Sequence, residues 1–266
     1  MSYPKNWSPF DGDVKDEVKW TQAKMRLNKA RREPNRIKTG ISGVDEALGG
    51  GLPEGLVILY GPGGCGKSLF ARTIAGHFAK QKKKVLYIYG EDSFDAPKPN
   101  PPIINTVDLK SYRPGPPRAV KTILKYVMEM KPDLVVVDSL TTILAQPTGH
   151  GKAVPEADVR EWTGELAKRL SGVVPVLAIS EVRGGGKYES PAGGRGVEHA
   201  GLALLYFGSI KIENKWDAQD WEASIGTKFW TLSVDKDRDG AANQSCMYRV
   251  TYMSDEIFLE EIGGGY

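Results

Sequence analysis

Between Leu56 and Lys80 the chain reads LVILY, GPGGCGKS and LFARTIAGHFAK: an apolar run, a glycine-rich loop and an amphipathic stretch. Gly61, Gly66, Lys67 and Ser68 match the spacing G-x-x-x-x-G-K-[ST]. Few sequence features restrict a fold as much. A buried strand must deliver the chain into a loop whose backbone N–H groups curl around a phosphate. A helix must then leave with its positive end aimed at the same point. Lys67 is placed to reach β- and γ-phosphates, and the Ser68 hydroxyl to meet Mg²⁺. The binding stretch expected from this motif is Gly61, Pro62, Gly63, Gly64, Cys65, Gly66, Lys67, Ser68 and Leu69. A thiol at a helix N-terminus can be activated, but Cys65 reads more simply as a small residue at a variable loop position.

The strand–helix alternation continues beyond the loop. Val57–Tyr60, Val85–Tyr89, Ile103–Val107, Leu134–Val137 and Val176–Ile179 are near-continuous runs of the kind found in strands buried on both faces. Helical patterns cover Lys67–Lys80, Ala119–Met130 and Ala157–Leu170. This order predicts an α/β fold, a mostly parallel sheet flanked by helices. The later runs LALLYFGSIKIE, KFWTLSVDK and MYRVTYM alternate apolar and polar residues, which predicts an antiparallel extension at one edge. Residues 1–36 read as a separate helical segment with a sparse apolar stripe, suited to packing on its own core or a neighbouring subunit, and residues 37–266 as the core. Two stretches interrupt that core. DAPKPNPPI (Asp95–Ile103) has four prolines in nine residues and cannot be a helix. RGGGKYESPAGGRG (Arg183–Gly196) is a basic, glycine-rich loop.

Composition narrows the setting. With 266 residues the chain suits one sizeable domain. Its apolar runs fall far short of the roughly 18 residues a membrane span requires, and MSYPKNWSPFDGD has no secretory pattern. Two cysteines, Cys65 and Cys246, make no disulfide framework, so a reducing, cytoplasmic setting and no membrane partner are expected. A net charge of +3 does not by itself announce a nucleic-acid binder.

Acids complete the phosphate chemistry. In KPDLVVVDSL four apolar residues end at Asp138, the place for an acid that holds Mg²⁺ through its water shell. In VLYIYGED, Glu91 and Asp92 end the strand after the first helix, where parallel strands gather their carboxyl ends around a ligand. Glu91 is placed to polarise a water for attack on a γ-phosphate. Ser180 and Glu181 end the strand VLAIS in the same way.

With these elements in order the chain resembles the RecA superfamily, most closely its RadA/Sms-like and KaiC-like branches. TGISGVDEALGGGLPEG is similar to the family's entry segment, VLYIYGEDS to its strand ending in a catalytic Glu, and LVVVDSLTTIL to its Walker B strand. VRGGGKYESPAGGRGVEHAGLALLYF resembles the mobile loop and following helix and strand of its recombinases, and LSVDKDRDG its Lys-x-Arg-x-Gly hairpin. The resemblance covers about Arg36 to Gly240. Three departures accompany it: a proline-rich stretch stands where relatives have a helix, the core is single unlike double-domain KaiC, and no zinc ribbon or protease-like domain is read around it.

The resemblance implies ATP and Mg²⁺ as cofactors, Glu91 as general base, Ser180 as a polar γ-phosphate sensor, and self-assembly into a hexameric ring or a filament. Lys236 and Arg238, two apart on a strand, project to one face. The resemblance makes them a pair that reaches into a neighbour's site. Single-stranded DNA is the expected partner, met by the basic loops Gln146–Pro155, with His150 and Lys152, and Arg183–Gly196, with Arg183, Lys187, Arg195 and Tyr188. His199 is a candidate sensor of nucleotide or DNA state, and His77 is read as structural. The function expected is a DNA-binding ATPase of recombination or repair. A KaiC-like regulatory ATPase with protein partners and a hexameric helicase-type motor remain alternatives.

Overall fold

A computed structural model of the chain describes residues 35–90, 104–109, 115–145, 154–183, 189–193, 195–238, 243–252 and 257–262. In chain order the elements are β1 (Arg36–Ile37), α1 (Ser42–Ala47), β2 (Leu52–Pro53), β3 (Leu56–Gly61), α2 (Lys67–Lys80), β4 (Val85–Tyr89) and β5 (Ile104–Asp108). There follow α3 (Pro116–Met130), β6 (Leu134–Asp138), α4 (Leu140–Ala145), α5 (Glu156–Leu170), β7 (Val176–Arg183), β8 (Ser190–Pro191) and α6 (Arg195–Ala200). The last elements are β9 (Ala203–Lys211), α7 (Lys215–Asp220), β10 (Lys228–Asp237), β11 (Ser245–Tyr252) and β12 (Ile257–Glu261).

One ten-stranded sheet runs β12-β11-β10-β9-β3-β7-β6-β4-β5, with β8 paired to β7; β1 and β2 form a separate ribbon. Alternate side chains of the central strands feed two cores. Val57 and Leu59 of β3, Val85 and Tyr87 of β4 and Val136 of β6 pack with Phe70, Ile74 and Phe78 of α2. Leu56, Ile58, Leu86, Val135 and Val137 face the other way, onto Ile123 of α3, Ile143 of α4 and Leu166 of α5. Burial on both faces accounts for the continuous apolar runs of the sequence.

The sequence places the edge change one strand too early. The LALLYFGSIKIE run forms β9, which is parallel to β3, with Val57 opposite Ala203 and Tyr60 opposite Tyr206. Its other side is antiparallel to β10. β9 therefore belongs to the parallel sheet and is the strand at which direction reverses; its outer residues beyond Phe207 are partly exposed, which produces the alternation. α3 begins at Pro116 rather than Ala119, because Pro in a first turn sacrifices only an N–H that lacks an intrahelical partner. Asp95–Ile103 and residues 1–34 lie outside the described residues. Arg36 is tied to the core: its NH2 lies 2.9 Å from the Asp237 carboxylate, and NH1 donates to the Leu48 carbonyl at 2.6 Å.

Candidate functional site

The loop Gly61–Ser68 sits at the carboxyl end of β3, flanked by the later part of β7 and the middle of β9. Two glycines are required by geometry. A Cβ on Gly61 would lie 2.0 Å from the Phe207 carbonyl oxygen, and Gly66, at φ +113°, would push one to 3.0 Å from Trp230 Nε1. Trp230 forms a floor for the loop with Phe70 and Phe207, at ring separations of 6.0 and 5.5 Å. Above the loop the space is open: a Cβ on Gly63 or Gly64 would meet nothing within 4 Å. Gly66 caps α2 with no side-chain hydrogen bond to the first-turn N–H groups, so these donors face the open side with the helix's positive end behind them.

Lys67 is buried, its Nζ donating to the Gly61 and Pro62 carbonyls at 2.8 and 2.7 Å. Cys65 is also buried, its Sγ 3.4 Å from the Phe207 carbonyl. The Ser68 hydroxyl donates to Asp138 Oδ1 at 3.1 Å. An oxygen-only pair beside an anion cradle suits a hard cation that keeps part of its water shell, as Mg²⁺ does. Residues Lys67, Ser68 and Asp138, expected from widely spaced motifs, thus converge. Asp138 has a second neighbour that was read only as a strand residue: the Tyr87 hydroxyl donates to Oδ2 at 2.8 Å. Burial foremost, then the Asp138 charge, pushes the Tyr87 phenol well above its ordinary pKa, opposed by the nearby Arg72 guanidinium. A tyrosine inside a fully buried apolar run was the available signal, since its hydroxyl must find a partner.

Lys236 near the end of β10 and Arg238, one residue beyond it, both bind the end of α6. Lys236 Nζ donates to the carbonyls of Glu198 and Gly201 at 2.6 and 3.1 Å, and Arg238 donates to the His199 carbonyl. These are the carbonyls a helix end leaves without intrahelical partners. Burial, with Arg238 next in effect, lowers the Lys236 pKa. Between them Asp237 turns the opposite way, where its buried carboxylate holds Arg36. Sequence reading missed this anchor because a buried acid within DKDRDG looks like one more surface charge.

Ser180 is fully buried, its hydroxyl 3.2 and 3.4 Å from the Glu181 and Ala192 carbonyls. Beside it Tyr60 donates to Asp235, and Tyr206 donates to Glu189 at 2.7 Å. The Glu189 carboxylate, then burial, pushes the Tyr206 phenol up to about 12. The first pair links β3 to β10, and the second ties Glu189, near the end of the glycine-rich segment, to β9. Arg195 is exposed at the start of α6 and His199 is exposed near its end. His77 packs its ring against Gly40. Arg183 ends β7 opposite Ser190; its side chain, and Glu91, Asp92, His150, Lys152, Lys187 and Tyr188, lie outside the described residues.

Residues 37–97 match the family model described as ATPase: KaiC. The chain is 29% identical over 247 residues to the DNA repair protein RadA of Bacillus subtilis (strain 168), covering 88% of this chain and 49% of that protein. It is 34% identical over 183 residues to DNA repair protein RadA of Aquifex aeolicus (strain VF5), covering 66% and 39%. For the protein of that name from Chlamydia pneumoniae the identity is 33% over 175 residues, covering 65% and 38%. The chain thus spans half or less of the length of these relatives.

Proposed function

We propose, from the premise that this chain belongs to the RecA superfamily and to its RadA- and KaiC-like branch, that it is a DNA-binding ATPase of recombination or repair. On this reading it hydrolyses ATP at subunit interfaces. The observation that carries the ATPase half is the convergence of Lys67, Ser68 and Asp138 on the uncapped start of α2. Backbone N–H groups of Gly63 to Ser68 cradle the β-phosphate, and Lys67 exchanges its loop carbonyls for β- and γ-phosphate oxygens. Ser68 and Asp138 would hold a magnesium ion, whose charge would offset that on the phosphates. Glu91 orients and deprotonates the attacking water, and Ser180 lies on the neighbouring strand as a polar sensor. Lys236 and Arg238 of one subunit then supply positive charge to the γ-phosphate of the next.

DNA contact rests on the basic loops of the sequence and on the names of the relatives. Arg183, Lys187 and Arg195 track phosphates while Tyr188 stacks on a base. Fluorescence anisotropy of labelled single-stranded DNA, with and without ATP and across salt concentrations, tests it. Replacing the three cations together by Gln should weaken binding and flatten the salt slope by up to about three phosphate contacts. No DNA binding by the parent protein would favour a regulatory ATPase with protein partners. Strand translocation driven by ATP would instead identify a helicase-type motor. A cytoplasmic setting accords with this reading.

A further inference from the structure

We propose that Tyr87, backed by Arg72, positions the Asp138 carboxylate for the metal ion. The inference rests on the assignment of Ser68 and Asp138 as the magnesium residues and deepens that site. On the paired parallel strands β4 and β6, Tyr87 lies opposite Val136. Asp138 is two residues further along β6 and therefore on the same face. The phenol spans that offset along the sheet, and its hydroxyl reaches Oδ2 at 2.8 Å. Only a tyrosine joins an aromatic body that fills the core to a donor at that distance; Tyr87 is 1% exposed. α2 covers the same face and presents Ser68 and Arg72 four residues apart, one turn above each other. Ser68 donates to Oδ1, and the Arg72 guanidinium lies close enough to Tyr87 for its charge to oppose the upward shift of the phenol.

The result is a pair of donors converging on Asp138, with the Arg72 guanidinium beside the first of them. The phenol donates to one carboxylate oxygen and the serine to the other. A carboxylate has about four lone-pair sites, so two donors do not exhaust what Asp138 can accept. With each oxygen fixed by its own donor, Asp138 cannot rotate about its last torsion to present another geometry. Such outer partners set metal affinity even though they never touch the ion. Tyr87 is thus a positioning residue.

The test is a Mg²⁺ titration of the full chain with a fluorescent ADP analogue, reading the midpoint at which magnesium tightens nucleotide binding. Tyr87→Phe should raise that midpoint about tenfold or more, the scale for loss of such a partner, while nucleotide affinity in EDTA stays at the parent value. Combining Tyr87→Phe with Asp138→Asn should add nothing to Asp138→Asn alone. Arg72→Gln should produce a smaller rise, and it carries the test should Tyr87→Phe fail to fold. A parental midpoint in Tyr87→Phe, or in Arg72→Gln where that variant stands in, overturns the proposal, whatever happens to thermal stability. If Asp138→Asn moves the midpoint and Tyr87→Phe does not, only the positioning role fails. If Asp138→Asn leaves it unmoved, the metal assignment fails and takes this inference with it.

Discussion

Lys67 holds two carbonyls of its own loop at 2.8 and 2.7 Å, an arrangement that keeps a buried ammonium solvated by the backbone until phosphate oxygens replace it. Lys67→Ala removes the cation without offering another at that point. Hydrolysis should be abolished and nucleotide binding weakened, as measured by phosphate release and equilibrium titration; undiminished turnover would refute the site. Glu91→Gln should keep ATP bound yet slow turnover about a hundredfold or more, the scale for a lost general base, and normal turnover would transfer that role to Asp92 or another group. Residues whose chemistry is fixed by spacing were legible in sequence: Gly61, Gly66, Lys67 and Ser68 lie together, and Asp138 ends an apolar run. Tyr87, Arg72 and Asp237 were not. Their importance comes from neighbours that are distant in sequence, as in the ion pair between Arg36 and Asp237, and no local pattern encodes such a partner.

At the scale of elements, β10 joins the floor of the loop to the paired cations, since it carries Trp230 inside the core and Lys236 near its end, with Arg238 the residue after it. Asp237 pins that end, and its side chain is 1% exposed beside an Arg36 side chain 10% exposed. Asp237→Asn would leave a buried guanidinium without its counter-charge. It should cost about 3 kcal/mol, the lower range for breaking such a pair because Arg36 keeps carbonyl partners. Chemical denaturation measures this, and a loss within 0.5 kcal/mol, the ordinary surface value, would refute the anchor. Removing both partners as Arg36→Met with Asp237→Leu should restore much of the loss. The central strands and the three long helices were readable because burial on both faces and helical periodicity leave long signals. Helices α1, α4 and α7 have six residues each, fewer than two turns, which is too short for a period to emerge. The strand β12 ends in the acids Glu260 and Glu261, which mask it as a polar tail although Glu261 reaches back to the Ser42 hydroxyl at 2.9 Å.

For the whole molecule, the proposed interfacial arrangement means that one chain does not complete its own ATP site. Lys236 and Arg238 bind the end of α6 within their own chain, so donating them to a neighbour means exchanging carbonyls for phosphate oxygens. Activity per subunit should therefore rise with protein concentration. Arg238→Ala should lose turnover by as much as about a thousandfold, the scale of other arginine fingers, while binding nucleotide through Lys67. The direct measurement mixes Arg238→Ala chains with Lys67→Ala chains and follows phosphate release. Each variant alone is inactive, whereas a mixed interface can pair the intact loop of the first with the intact arginine of the second. Interfacial catalysis predicts that activity returns on mixing. Mixed oligomers that form and stay inactive, or an Arg238→Ala chain that hydrolyses ATP at the parent rate, would contradict it.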